Sequence, residues 1–161
     1  MPQTPWLNDD SQGRVELLLS SYRRAFGAPL LASERSSPCR RLLCQELFVC
    51  GFPVLAHGTG GDPALTYANA AALQLWKRPW NEMVGMPSRL TAPEDQQGAR
   101  QRALGAASQV DAISSYRGIR INSEGRRFHI ENARIWTLWD QDDRACGQAA
   151  SFSDWWWLAT A

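Results

Sequence analysis

Two turns near the C-terminus constrain this chain more than any other feature. From Ser115 to Trp157 it reads SYRGIRINSEGRRFHIENARIWTLWDQDDRACGQAASFSDWWW, three extended runs separated at Asn122 to Gly125 (NSEG) and Asp140 to Asp143 (DQDD). Gly accepts a positive φ at little cost, and Asn and Asp bond their own backbone. Between runs of Ile, Phe, Trp and Thr, such turns mark consecutive antiparallel hairpins. The C-terminal third is therefore expected to be a three-stranded meander. A sheet of this size needs a cover for its apolar faces before burial offsets the chain entropy. The upstream residues must supply it.

The 161 residues suit one domain with a real core, and 44% hydrophobic content with eight Trp excludes a disordered chain. Seventeen basic against sixteen acidic side chains leave a net charge of +1. That is no basic footprint for nucleic acid, nor for an anionic membrane surface. The four Cys, at 39, 44, 50 and 146, have no zinc spacing and read as reduced, buried small hydrophobes. The first residues, MPQTPWLNDDSQG, lack a signal-peptide pattern, and no run approaches the roughly 18 apolar residues of a membrane span. A soluble cytoplasmic protein is expected.

Residues 1–10 read as a flexible lead-in. Val15, Leu18, Leu19, Tyr22 and Phe26 recur at helical spacing, leaving Arg14, Glu16, Arg23 and Arg24 to solvent, until Gly27 and Pro29 stop the helix. Ser37 and Pro38 are suited to N-cap and first turn of a second helix with an apolar stripe of Cys39, Leu42, Leu43, Leu47 and Cys50. Two short strands, 52–57 (FPVLAH) and 65–68 (LTYA), flank a glycine-rich loop, and Asn69 caps a helix that turns Ala72, Leu73 and Trp76 inward. A helical turn is expected around 80–84. Thr91 and Glu94 have capping-box spacing, announcing a polar surface helix over 93–109 with Leu104 as its main inward residue.

Two strands, connecting helices and a meander form the element order of PAS domains, a five-stranded antiparallel sheet with helices over one face. The segments VLAHG (54–58), DPALTYANAAALQLW (62–76), GMPSRLTA (85–92), SYRGIRINSEGRRFHIENARIW (115–136) and GQAASF (147–152) together resemble the MEKHLA domain, a PAS-like family. The resemblance runs from about Leu18 to Phe152. It implies an α+β fold with N-terminal helices and a sensing or interaction role, and it hands over no ligand. The expected organisation is an N-terminal extension with one helix over 1–36, the PAS-like domain over 37–157 and a tail over 158–161.

His57, ending the first strand beside the glycine loop, is a candidate to meet a polar ligand group or to bond the loop itself. Haem is disfavoured, because 77–109 offers no His on the connecting helices. A blue-light flavin is disfavoured too, because 70–109 has no Cys. Tyr67, Trp76, Tyr116, Trp136 and Gln148 are candidates to line a cavity, with core packing as the alternative for the aromatics. Asn69 is a helix cap before it is a ligand contact. Arg120 or Asn132 facing the cavity would anchor a carboxylate or amide, while cross-strand ion pairs explain the other meander charges. Strict alternation along 127–139 puts Phe128, Ile130, Asn132, Arg134, Trp136 and Leu138 on one face, unless a bulge intervenes. In 155–157, adjacent Trp point to opposite faces, so at least one is exposed. Trp155 and Trp157, with Leu18 and Tyr22 of the first helix, are candidate contacts of a homodimer or partner protein.

The leading expectation is a non-enzymatic module that binds a small molecule or a partner and shifts its N-terminal helix or dimer contact. A pure interaction module is the alternative. An enzyme is third, since His57 and Asp62 are the nearest acid/base candidates and no nucleophile motif, Walker loop or dinucleotide fingerprint occurs.

Overall fold

A computed structural model of the chain describes residues 4–36 and 39–159. After a short 3-10 turn (Pro5–Leu7), the elements are α1 (Asp9–Phe26), α2 (Arg40–Val49), β1 (Val54–His57), β2 (Leu65–Ala68), α3 (Ala70–Trp76), α4 (Trp80–Met83), α5 (Glu94–Val110), β3 (Ala112–Ile121), β4 (Arg127–Trp139), β5 (Ala145–Ser151) and β6 (Asp154–Trp157), with further 3-10 turns at Ala32–Ser36 and Ser88–Thr91. The sheet is antiparallel throughout, in the order β2-β1-β5-β4-β3. The meander and the antiparallel PAS-like sheet are as expected. The run of three Trp adds a sixth strand: the chain breaks after Ser151, and β6 continues along the edge of β4, pairing Glu131 with Asp154 and Phe128 with Trp157. None of the described helices is long and apolar enough to cross a membrane.

β4 serves both faces of this sheet because it carries one extra residue. Tyr116 of β3 pairs with Ala133, but Gly118 pairs with Ile130, so two steps on one strand oppose three on the other. Asn132 absorbs the difference with φ at +53°, a left-handed conformation that Asn tolerates better than most residues. The alternation expected along 127–139 therefore breaks. Phe128, Ile130 and Ala133 pack with Trp76 and Met83 under the connecting helices, whereas Trp136 and Leu138 pack against α1.

The α1 face is a core of Val15, Leu18, Leu19 and Tyr22 against Leu47, Val54, Ala56, Tyr67 and Trp136. Trp136 Nε1–H donates to the Leu18 carbonyl at 3.2 Å, and the Tyr22 ring meets its indole edge-on at 4.9 Å. Leu18 and Tyr22 are 1% and 2% exposed, so neither offers the dimer contact expected of it; the chain's own sheet occupies that face. Burying a side chain such as Leu18 contributes roughly 1.5–3 kcal/mol. Residues 4–10 are not a loose lead-in either, while residues 1–3 lie outside the described residues. Asn8 caps α1 by accepting from the Ser11 amide, and Trp6 stacks on Phe48 with centroids 3.8 Å apart.

Asn69 joins three elements from a fully buried position. Its Oδ1 accepts from the amides of Val54 (2.9 Å) and Ala72 (3.2 Å), and its Nδ2 donates to the carbonyls of Phe52 (2.8 Å) and Leu47 (3.1 Å). The expected cap is thus also the tie between α2, β1 and α3.

Three local expectations need correction. In α2 the inward residues are Cys44, Leu47 and Phe48 while Leu42 is 47% exposed; Ser37 and Pro38 lie outside the described residues and Cys39 is the cap. Leu75, not Leu73, is the buried leucine beside Trp76 in α3. Thr91 does not cap α5, because its hydroxyl already donates to the Ser88 carbonyl (2.7 Å) within a 3-10 turn, and Pro93 takes the cap position.

Asn132 yields the test of the bulge. Asn132→Gly is expected to be nearly neutral, whereas Asn132→Val, forced into a left-handed conformation, should cost about 1–2 kcal/mol in urea denaturation. Equal stabilities for the two would remove strain at the bulge as the reason for Asn.

Candidate functional site

α5 is a polar roof with few apolar feet. Among its residues only Ala107 is buried, so it cannot seal against the sheet by burial alone. Polar ties hold it instead: Arg127 makes two bonds to Asp95 (2.7 and 3.2 Å), Gln148 Nε2 donates to the Leu104 carbonyl (3.0 Å), and Thr137 Oγ1 donates to Asp111 (3.1 Å). Space remains underneath. An enclosed chamber of about 40 Å³, lined by apolar residues such as Leu55, Trp76 and Ile130, lies against the sheet. An open cleft of about 480 Å³ lies between α5 and the 58–63 loop. His57, Arg100, Leu104 and Gln148 line both, and so stand at the neck between them.

His57 is set there by backbone. A Cβ on Gly147 would lie 2.1 Å from the His57 carbonyl oxygen, so only glycine lets β5 approach the end of β1 this closely. The ring nitrogen Nδ1 is 2.8 Å from the Gly58 carbonyl. Since a carbonyl can only accept, Nδ1 carries the proton and Nε2 is left as a buried acceptor, without a partner among the described residues. Burial, with the Arg100 charge as a smaller contribution, pushes the imidazole pKa below its ordinary value; the Gly58 bond opposes this.

Arg100 descends from α5, and Arg120 rises from β3. Arg120 is 7% exposed; its guanidinium donates to the Tyr116 hydroxyl and the Ile119 carbonyl, both at 2.9 Å. Gly118 makes room for that contact, since a Cβ there would fall 2.6 Å from the Tyr116 hydroxyl oxygen. Burial first, then the nearby charge of Arg120, lowers Arg100 to about 10, which still leaves it cationic at neutral pH. Among the described residues, no carboxylate forms an ion pair with either arginine.

Of the residues singled out in the sequence, His57, Trp76, Tyr116, Arg120 and Gln148 come together around the enclosed chamber. Tyr67 and Trp136 lie in the core on the opposite face, and Asn69 is saturated by backbone. Asn132 points outward, its Nδ2 donating to Asp154 (3.1 Å), because the bulge turns it away. Trp155 and Trp157 are half-buried against Phe128, while Trp156 is 50% exposed and stacked on His129 at 4.4 Å. The exposed member of the triplet is thus the one not named. Arg100 was missed because its helix reads as solvent-facing, yet Arg100, Leu104 and Ala107 follow helical spacing on one face. Cys44 is buried, Cys50 and Cys146 are partly so, and Cys39 is exposed, contrary to the uniform burial expected; none is in a disulfide. Among the described residues, no group of three His, Cys, Asp or Glu could hold a metal ion.

The His57 shift has a sign that can be tested. Folded, the ring binds its proton less readily than in the unfolded chain, whose value is about 6.5. Its contribution is therefore present above about pH 6.5 and is lost as pH falls through the lower folded value. Thermal denaturation from about pH 7.5 down to pH 5 should show a declining Tm in the wild type and a flatter profile in His57→Gln. An unchanged slope would clear His57 of that role.

Comparison with known proteins agrees with this geometry. The MEKHLA domain model matches residues 12–157, which includes all but the first three residues of α1. No curated protein matches the chain. Among solved structures, an RNA-binding light-oxygen-voltage receptor superposes with a TM-score of 0.65 at 17% identity, over 79% of this chain and 36% of that one. This chain thus spans little more than a third of that receptor. A PAS domain from Colwellia psychrerythraea gives 0.61 at 11% identity, over 71% and 94% of the two chains. The light-oxygen-voltage domain of a blue-light activated histidine kinase from Erythrobacter litoralis gives 0.54 at 18% identity, over 69% and 99%. The fold is PAS-like, and the chain belongs to the MEKHLA domain family.

Proposed function

We propose that the protein is a non-enzymatic sensory module that takes a small molecule into the space between α5 and the sheet. The observation that carries this reading is the unpartnered His57 Nε2 at the neck of the two chambers. Buried polar atoms in folded proteins are almost always paired, so an acceptor left open on a cavity wall calls for a donor from outside the chain. Catalysis has less support. Asp62, the other acid/base candidate, is engaged by Arg89 at 3.1 Å and sits in a loop.

Two structural neighbours are named for light-oxygen-voltage sensing, and a third such structure for a flavin analogue. No Cys lines either chamber, so the chain offers a flavin no thiol here, and the inner chamber of about 40 Å³ is far too small to enclose its ring system. A haem on His57 would likewise have to lie in the open cleft rather than in the inner chamber. The near-neutral net charge argues against RNA, the partner in one neighbour's name.

Response to a ligand would pass through α5, which polar ties hold to the sheet. A ligand favours one position of α5 only by its differential affinity for it. Native mass spectrometry of protein purified from its own host is expected to show a retained small molecule. Re-adding that molecule at about 100 times its Kd should stabilise the fold by about 2.7 kcal/mol. Protein that carries nothing, with no metabolite raising its Tm, would leave the interaction-module reading in its place.

That second reading rests on Trp156, half-exposed beside His129 on the outer side of β6 and β4. A homodimer would use this face. Sedimentation at tens of micromolar should then show a dimer that Trp156→Ser converts to monomer; a wild-type monomer would end the dimer proposal.

A further inference from the structure

The enclosed chamber brings together charges that no carboxylate among the described residues pairs with. Arg100 and Arg120 both line it, one from the roof and one from the floor. Arg120 is buried and uses two of its donors on Tyr116 and Ile119, neither of them anionic. Two like charges drawn together out of water disfavour the folded state unless something negative lies between them. Of the carboxylates lining the adjoining cleft, Asp62 pairs with Arg89, and Asp111 accepts from the Thr137 hydroxyl and pairs with neither arginine. Among the described residues, no ion pair accounts for this pair of cations.

Shape more than size decides what kind of anion enters. About 40 Å³ admits a few water-sized groups, one water needing about 10–15 Å³ of such space. A carboxylate head is small and presents two coplanar oxygens to guanidinium donors, whereas a phosphate is bulkier and tetrahedral. The rest of such a ligand would extend into the cleft of about 480 Å³, whose lining includes Gln97, Gln101, Ser108 and Thr137. At the neck, the open His57 Nε2 needs a hydrogen-bond donor. An ammonium group would meet the two arginine charges, so the matching donor is neutral, and a hydroxyl is the smallest such group.

We infer that this site takes a small hydroxycarboxylate, its carboxylate held between Arg100 and Arg120 and its hydroxyl donating to His57. This rests on the sensory reading above and deepens it by naming the ligand's chemistry. Binding places a fixed negative charge between roof and floor, so it adds an ionic tie between Arg100 of α5 and Arg120 of β3 to the contacts these elements already make. The ligand is thus recognised by the same two side chains that would transmit its arrival.

The test uses the whole chain, with Tm and titration calorimetry as readouts and glycolate, L-lactate and L-malate as probes at up to about 10 mM. Propionate lacks the hydroxyl, lactamide lacks the charge, and inorganic phosphate supplies the wrong shape. At least one hydroxycarboxylate is expected to raise Tm, with propionate at least about tenfold weaker and lactamide and phosphate inert. Arg100→Gln, on the surface helix, should abolish the shift without harming the fold, and Arg120→Met should do the same if it folds. His57→Gln should weaken the hydroxycarboxylate more than propionate. Equal shifts from lactamide or phosphate, or retained binding in Arg100→Gln, would overturn the inference. So would silence from every carboxylate. A neutral molecule retained in native mass spectrometry would overturn it while leaving the sensory reading intact.

Discussion

One inserted residue allows a single strand to hold two cores together. Without the extra step at Asn132, β4 would present Phe128, Ile130, Trp136 and Leu138 to the same side, and one layer of helices would have to cover all of them. With it, Phe128 and Ile130 before the bulge share the connecting-helix side with Ala133 and Ile135 after it, and Trp136 and Leu138 are turned to α1. The side-chain period in a strand is two, so a shift of one residue is enough to exchange its faces. The sheet then needs cover on both sides. α1 and α2 supply it on one side, and the segment from α3 to α5 on the other.

The two covers differ in kind. α1 brings Val15, Leu18, Leu19 and Tyr22 into close packing, with Trp136 bonded to a helix carbonyl. α5 brings one buried alanine and a set of polar ties. Apolar burial is non-directional and leaves no gaps when it is dense. Polar ties act at points and leave space between them. The hollow under α5 thus follows from the composition of that helix: too polar to collapse onto the sheet, yet tethered at both ends.

Much of the scaffold could be read in the sequence because it rests on local signals. The NSEG and DQDD turns placed three strands, Asn69 announced α3, and the spacing of Val15 through Phe26 gave α1 with its exposed arginines. The errors lie where tertiary partners decide. The face of β4 depended on a bulge that only the register with β3 reveals. Leu18 and Tyr22 were read as available to a partner because the sequence does not say that α1 folds back on the sheet. Trp156 was passed over for its neighbours because the edge on which β6 pairs sets which of the three points outward. Arg100 was hidden for the opposite reason: a helix with so few apolar residues reads as solvent-facing throughout, and only its place one turn before the inward Leu104 marks Arg100 as lying on the roof side.

Gly147 separates what is free to change here from what is not. The gap of 2.1 Å between its missing Cβ and the backbone of β1 cannot be relieved by a rotamer, because the obstructing atom belongs to the main chain. Evolutionary drift is thus closed at this position, and with it the placement of the strand end that carries the imidazole. Along α5, where most side chains face outward, drift is open. Under the proposed role, substitutions in the roof alone would change what the cleft admits, while the strand end beneath stays a fixed doorpost.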